Sequence, residues 1–241
     1  MKTRRPLFLL AGALGLGSIS SLLVAARPAA PSPALQEAPF KFARIYWEYN
    51  SSANDLGVHV TLDGEDWTKL EIENPREKKL FQVKGSGPYR ELGMTELFFE
   101  GAEPSLDEFP LRGLLERFPE GQYEFSGLTV SGEELESTHQ FTHAIPAGPI
   151  VRAVHGGGNN LRIEWSAVTS PPPGFPNRPI RIKGYQVIVE PSFQVTLPGT
   201  ARSVTVSPEF VQTLGPGPHA FEVLAIEESD NQTLTEGSFT F

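Results

Sequence analysis

Carboxylates are the side chains this chain offers most freely for chemistry. The segment Asp63-Gly-Glu65-Asp66-Trp67, with Asn54-Asp55 upstream and Glu71 and Glu73 beyond, gathers them beside a tryptophan. A hard cation such as calcium takes six to eight oxygens from groups converging on one point, so Asp55, Asp63, Glu65 and Asp66 are the candidate ligands. Their spacing fits no EF-hand loop, and Asp63-Gly64 is an ordinary pair for a tight hairpin, so a solvated turn is the competing reading. Glycoside cleavage would need two carboxylates held at a defined separation across a cleft, and nothing in the spacing selects such a pair. Trp47, Trp67 and Tyr89 are candidates for an aromatic platform that stacks sugars, with Trp67 foremost because it flanks a polar hairpin; against this stands the tendency of strand aromatics to be core.

Other constellations are thinner. His155-Gly156-Gly157-Gly158 looks like an oxyanion loop, but such a loop works beside a serine on a sharp strand-to-helix turn, and no Gly-x-Ser-x-Gly pentapeptide is present. It reads as a flexible loop before the Leu161 strand. His139 and His143 would lie on one face of a strand about 13 Å apart, too far for one metal ion, and read as two isolated, exposed histidines. His59 and His219 have no cysteine or histidine at ligand spacing, so no metal site and no cofactor is expected from them. Asn50-Ser-Ser52 and Asn231-Gln-Thr233 match the glycosylation triplet.

The elements that must position these groups are strands. Tyr123-Glu-Phe125 stands eighteen residues before Phe141-Thr142, and Phe221-Glu-Val223 stands eighteen before Phe239-Thr240, each pair spanning a polar turn. Two such hairpins predict the closing halves of two tandem β-sandwiches. Phe42 to Trp47, Val58 to Leu62, Trp67 to Ile72, Leu80 to Val83 and Leu97 to Phe99 supply further strands in the first half. Leu161 to Trp165, Ile182 to Val189, and Val204 with Val206 do so in the second. Only Leu111 to Phe118 has helical apolar spacing, and Pro119-Glu-Gly121 ends it. The fold class expected is all-β: two antiparallel sandwiches, the first carrying a short crossover helix.

Residues 1–26 have the parts of an export signal: Lys2, Arg4 and Arg5, then an apolar run, then small residues. An uncleaved amino-terminal anchor is the alternative, since roughly 20 apolar residues span a bilayer, and it would be the only membrane contact. The Arg4-Arg5 pair also resembles a twin-arginine signal. Residues 27–39 are Pro/Ala-rich and read as a tether. The remaining chain divides at a Pro/Gly cluster into 40–145 and 146–241. There is no cysteine, so neither a lipid anchor nor disulfides enter the argument.

Charge divides unequally across that boundary. Residues 40–145 hold 10 Lys and Arg against 20 Asp and Glu, whereas 146–241 hold 6 against 8. Neither half has the basic face that nucleic acid requires. The acidity of the first half serves solubility, or draws cations and basic partners.

In residues 149–241 the landmarks resemble a fibronectin type III domain: Trp165 on an early strand, then Gly184-Tyr-Gln-Val-Ile-Val, then Leu214 and Pro216 leading into Phe221-Glu-Val-Leu-Ala225. The family places a corner tyrosine where Phe221 stands, and Tyr123 occupies the matching place in the first half. Residues 40–145 resemble a divergent immunoglobulin-like domain of exported bacterial proteins. The resemblance implies a place and an architecture; together with the export signal and the lack of a convergent catalytic set, the two β patterns read as an extracytoplasmic, periplasmic or secreted, non-enzymatic interaction protein whose partner is a protein or polysaccharide at the cell surface. The alternative is a carbohydrate- or calcium-binding module acting through residues 40–145.

Overall fold

The computed structural model describes residues 37–241. The export segment 1–26 and most of the tether, to residue 36, lie outside the described residues. Strands account for 52% of the structure and helices for 8%, so the protein is all-β. Among the described residues, no helix is long and apolar enough to cross a membrane.

The strands of the first half are β1 (Glu37–Ala38), β2 (Phe42–Asn50), β3 (Asp55–Glu73), β4 (Lys79–Lys84), β5 (Met94–Glu100), β6 (Gly121–Thr129) and β7 (Glu134–Phe141). Two short helices interrupt them, α1 (Pro88–Leu92) and α2 (Leu111–Arg117). The predicted crossover helix is therefore present as α2, which buries Leu114 and stops before Pro119. Glu37 and Ala38, at the end of the expected tether, pair parallel with Glu134 and Leu135 of β7.

One hairpin turn expected in the first half is not formed. Asp63-Gly64 does not close a hairpin, because β3 runs unbroken through it for 19 residues. Its first part pairs with β2 and β5, its last part with β4 and β6, and the registers shift between Asp63 and Lys69. Partner strands on both sides of Asp63-Gly64 thus hold the chain extended, and the irregularity bends it from one layer into the other, as strands that turn sandwich corners do. Alternating side chains of β2 and β3, among them Ile45, Trp47, Leu56, Val58, Leu70 and Ile72, meet Tyr123, Phe125, Leu135 and Phe141 in one core.

The second half contains β8 (Val151–His155), β9 (Leu161–Trp165), β10 (Ile182–Val189), β11 (Phe193–Pro198), β12 (Ser203–Thr205), helix α3 (Pro208–Val211), β13 (Pro218–Glu227) and β14 (Gln232–Thr240). A three-stranded sheet, β12-β9-β8, faces a run of four, β11-β10-β13-β14, and encloses a second core around Leu161, Ile163, Trp165, Tyr185, Val187 and Phe221. Gly156 to Asn160 is the turn of the β8–β9 hairpin, with the Gly156 amide donating to the Asn160 carbonyl at 2.9 Å.

The two corners are tied by different residues. The Tyr123 hydroxyl donates to the Pro119 carbonyl, four residues upstream, at 3.1 Å. At the other corner Phe221 has no hydroxyl, and the His219 ring nitrogen Nε2 pairs instead with the Gly215 carbonyl, again four residues upstream, at 2.8 Å.

Candidate functional site

The strongest constellation lies where the halves meet. β14 pairs parallel with β2, Gln232 beside Glu48 and Leu234 beside Asn50, so that one sheet continues from the first core to the second. At this seam Asn231, in the β13–β14 turn, is fully buried. Its side-chain oxygen accepts from the Trp47 amide at 2.9 Å, and its NH2 donates to the Thr142 carbonyl and hydroxyl, both at 3.0 Å, and to the Ala144 carbonyl at 3.3 Å. The glycosylation triplet at Asn231 is therefore spent on structure. The Thr233 hydroxyl donates to the Pro146 carbonyl at 2.5 Å, and Ser51 Oγ lies 2.8 Å from Thr235 Oγ1. On the flank, Arg178 pairs with Glu120, whose carboxylate also accepts from the His143 amide at 2.8 Å. Burial alone would raise Glu120; the hydrogen bonds from Arg178 and from the His143 amide outweigh it and hold the carboxyl below its ordinary value.

Beside the seam, on the outer face of β2 and β3, three ligating side chains converge. His59 is almost wholly buried; its Nε2 is 2.8 Å from Glu103 Oε1 and its Nδ1 is 3.8 Å from Glu48 Oε2. Glu48 also accepts a hydrogen bond from the Gln232 amide of β14. The Tyr46 ring lies 5.5 Å from the imidazole and Phe98 lies 6.1 Å away. Burial raises the Glu48 carboxyl, with Glu103 and Glu100 adding to the shift while His59 and Gln232 oppose it. Burial, then Glu48, pushes the Tyr46 phenol up to about 12. Among the described residues this is the one group of three or more metal-ligating side chains whose ligand atoms all lie within 4.8 Å of one another.

The residues singled out by sequence are not brought together as a comparable group. Asp55 begins β3 and is raised by burial and by Glu103 and Glu236. Asp63 is paired with Lys41 at 2.5 Å. Glu65 is exposed, and Asp66 is half-buried with its backbone carbonyl accepting from the Val130 amide at 2.9 Å. Trp67 has no solvent-facing ring: it is fully buried, as are Trp47 and, nearly so, Trp165. Of the proposed platform only Tyr89, 64% exposed on α1, faces solvent. The histidines also depart from expectation. His143 Nε2 pairs with the Phe118 carbonyl at 2.8 Å, and its ring packs on Trp47 and Phe141. His139 is half-buried, and burial lowers its pKa. His59, set aside in the sequence for want of a cysteine or histidine at ligand spacing, instead meets two glutamates 11 and 44 residues away, beyond any local spacing pattern.

The protein thus belongs to the class of tandem β-sandwiches. No family model and no curated protein matches the chain. Solved structures resemble it at low identity. The Clostridium perfringens spore cortex lytic enzyme is 19% identical with a TM-score of 0.32; the match covers 40% of this chain and spans only 28% of that protein. The fibronectin(III)-like modules of Clostridium thermocellum CbhA are 13% identical, with a TM-score of 0.28, over 86% of this chain and 90% of theirs. A bacterial ice-binding adhesin is 9% identical, with a TM-score of 0.26, over 85% and 65%. Likenesses of this size leave function to be read from the chain's own geometry.

Proposed function

We propose that this is an exported, non-enzymatic interaction protein that holds two β-sandwiches at a fixed angle and presents their loops and strand edges to a protein partner at the cell envelope. The observation that carries the reading is the seam: the parallel β2–β14 pairing and the buried Asn231 amide join both cores into one body. Freely jointed modules would lose orientational freedom on binding two points of a partner, whereas a fixed pair has already lost it. Export rests on residues 1–26. The carbohydrate alternative loses its tryptophans to the core, and the calcium alternative keeps Asp63, Glu65 and Asp66 without a common focus.

The test is cell fractionation of the host combined with assays of the purified full chain on cell-wall polysaccharide and peptide. Recovery outside the cytoplasm, with no turnover, is expected. Cytoplasmic recovery, or turnover abolished by replacing one carboxylate, overturns the reading.

A further inference from the structure

We propose that Glu48, His59 and Glu103 form a binding site for a divalent transition-metal ion of the zinc type. One imidazole nitrogen and two carboxylate oxygens are the donor mixture that such borderline ions accept, and three protein ligands leave one tetrahedral position open to water. Calcium is disfavoured there, because it seeks six to eight oxygens and has little use for a nitrogen donor.

Three independent features support a built site rather than an acidic surface. First, the imidazole is buried, with side-chain exposure of 3%, so its position is fixed by the fold. Second, Glu48 is oriented by the Gln232 amide arriving from β14, the kind of supporting hydrogen bond that ligating carboxylates carry. Third, β3 places a glycine where Glu103 crosses the strand. A β-carbon on Gly57 would lie 2.4 Å from Glu103 Cγ and 2.9 Å from its Oε1, so a side chain there would push Glu103 away from the imidazole. Negative charge is also in excess, with Glu48, Glu103 and nearby Glu100 gathered around one imidazole. In a tetrahedron with bonds near 2.1 Å the donor atoms stand roughly 3.4 Å apart. The two carboxylates face different ring nitrogens, Glu103 at Nε2 and Glu48 at Nδ1, and one ion takes only one of them; on Nε2, Glu103 must ease back slightly from its 2.8 Å contact and Glu48 must swing across from the Nδ1 side.

The experiment uses the untagged full chain. Zinc is titrated in competition with a chromophoric chelator, and cobalt is added separately to read its absorption bands. One equivalent per chain and a tetrahedral cobalt spectrum are expected, with calcium producing neither competition nor a change in melting temperature. Glu103→Gln and His59→Asn should each weaken zinc by at least about 10-fold. Gly57→Ala should weaken it as well while leaving all three ligands in the sequence. Metal-free melting curves of the variants identify any that fail to fold, and Glu103→Gln, at a partly exposed position, is the one least affected. No zinc binding by the parent chain, or binding that survives both Glu103→Gln and Gly57→Ala and so belongs to other histidines, overturns the proposal.

Discussion

Replacing Asn231 by alanine is the sharpest perturbation of the seam. The side chain is fully buried and serves β2 and the chain after β7 at once. Its removal orphans the Trp47 amide, and a buried unpaired donor costs about 1–3 kcal/mol. The bonds to the Thr142 and Ala144 carbonyls contribute about 1 kcal/mol each. We predict a loss of about 3–5 kcal/mol in urea unfolding of the full chain, which for a body of this size lowers the melting temperature by roughly 10–15 °C. The parent is expected to unfold in one transition and the variant in two, as the cores uncouple. Asn231→Asp keeps the acceptor for Trp47 but turns an oxygen toward two carbonyls, and it should be at least as damaging. A midpoint within about 2 °C of the parent for both variants, with one transition retained, refutes the reasoning.

Three further outcomes follow from the packing. Gly237 lies opposite Phe221 on paired strands, and a β-carbon there would sit 2.2 Å from the ring; Gly237→Ala should cost at least about 1–3 kcal/mol by overpacking, measured by urea unfolding. Tyr123→Phe should cost about 1 kcal/mol, and His219→Ala slightly less because its corner bond is more exposed, each read from the melting of the full chain. Burial, then Glu236 directly opposite it and Glu190, raises the Glu222 carboxyl above its ordinary 4.5. The folded state therefore holds that proton more tightly than the unfolded state does, and stability falls as pH rises through the window above 4.5. Glu222→Gln should raise the melting temperature at pH 7, with the gain vanishing below about pH 4.

Strand alternation made most of the framework legible. Phe42 to Trp47, Leu161 to Trp165 and Ile182 to Val189 fall within β2, β9 and β10, because half-buried strands imprint a period of two on sequence. The Tyr123 corner was legible from its place after Pro119. Asp63-Gly64 misled because turn chemistry is local, whereas the strands that keep β3 extended come from β2, β5 and β6. The strand β11 alternates just as well with Phe193, Val195 and Leu197 but is not among the expected strands; Pro191 stands just before it and Pro198 is its last residue. The seam and the Glu48, His59 and Glu103 cluster were not legible at all. Asn231 looks like any turn asparagine until Trp47, 184 residues away, is placed against it, and His59 looks solitary until a loop delivers Glu103.

The direction of the β2–β14 pairing has a mechanical side. The chain enters β2 at Phe42 and leaves β14 at Thr240, and the two strands run the same way with Glu48 to Asn50 beside Gln232 to Leu234. Tension carried along the backbone draws β2 backward and β14 forward, so it shears their ladder and loads its hydrogen bonds together instead of peeling them singly. The Ser51 amide bonded to the Leu234 carbonyl at 3.0 Å, and the Asn231 amide wedged behind it, stand directly in that path. The same contacts that set the angle between the sandwiches would therefore bear a pull first, shielding the rest of the fold, and their rupture would govern how long the pair survives under load.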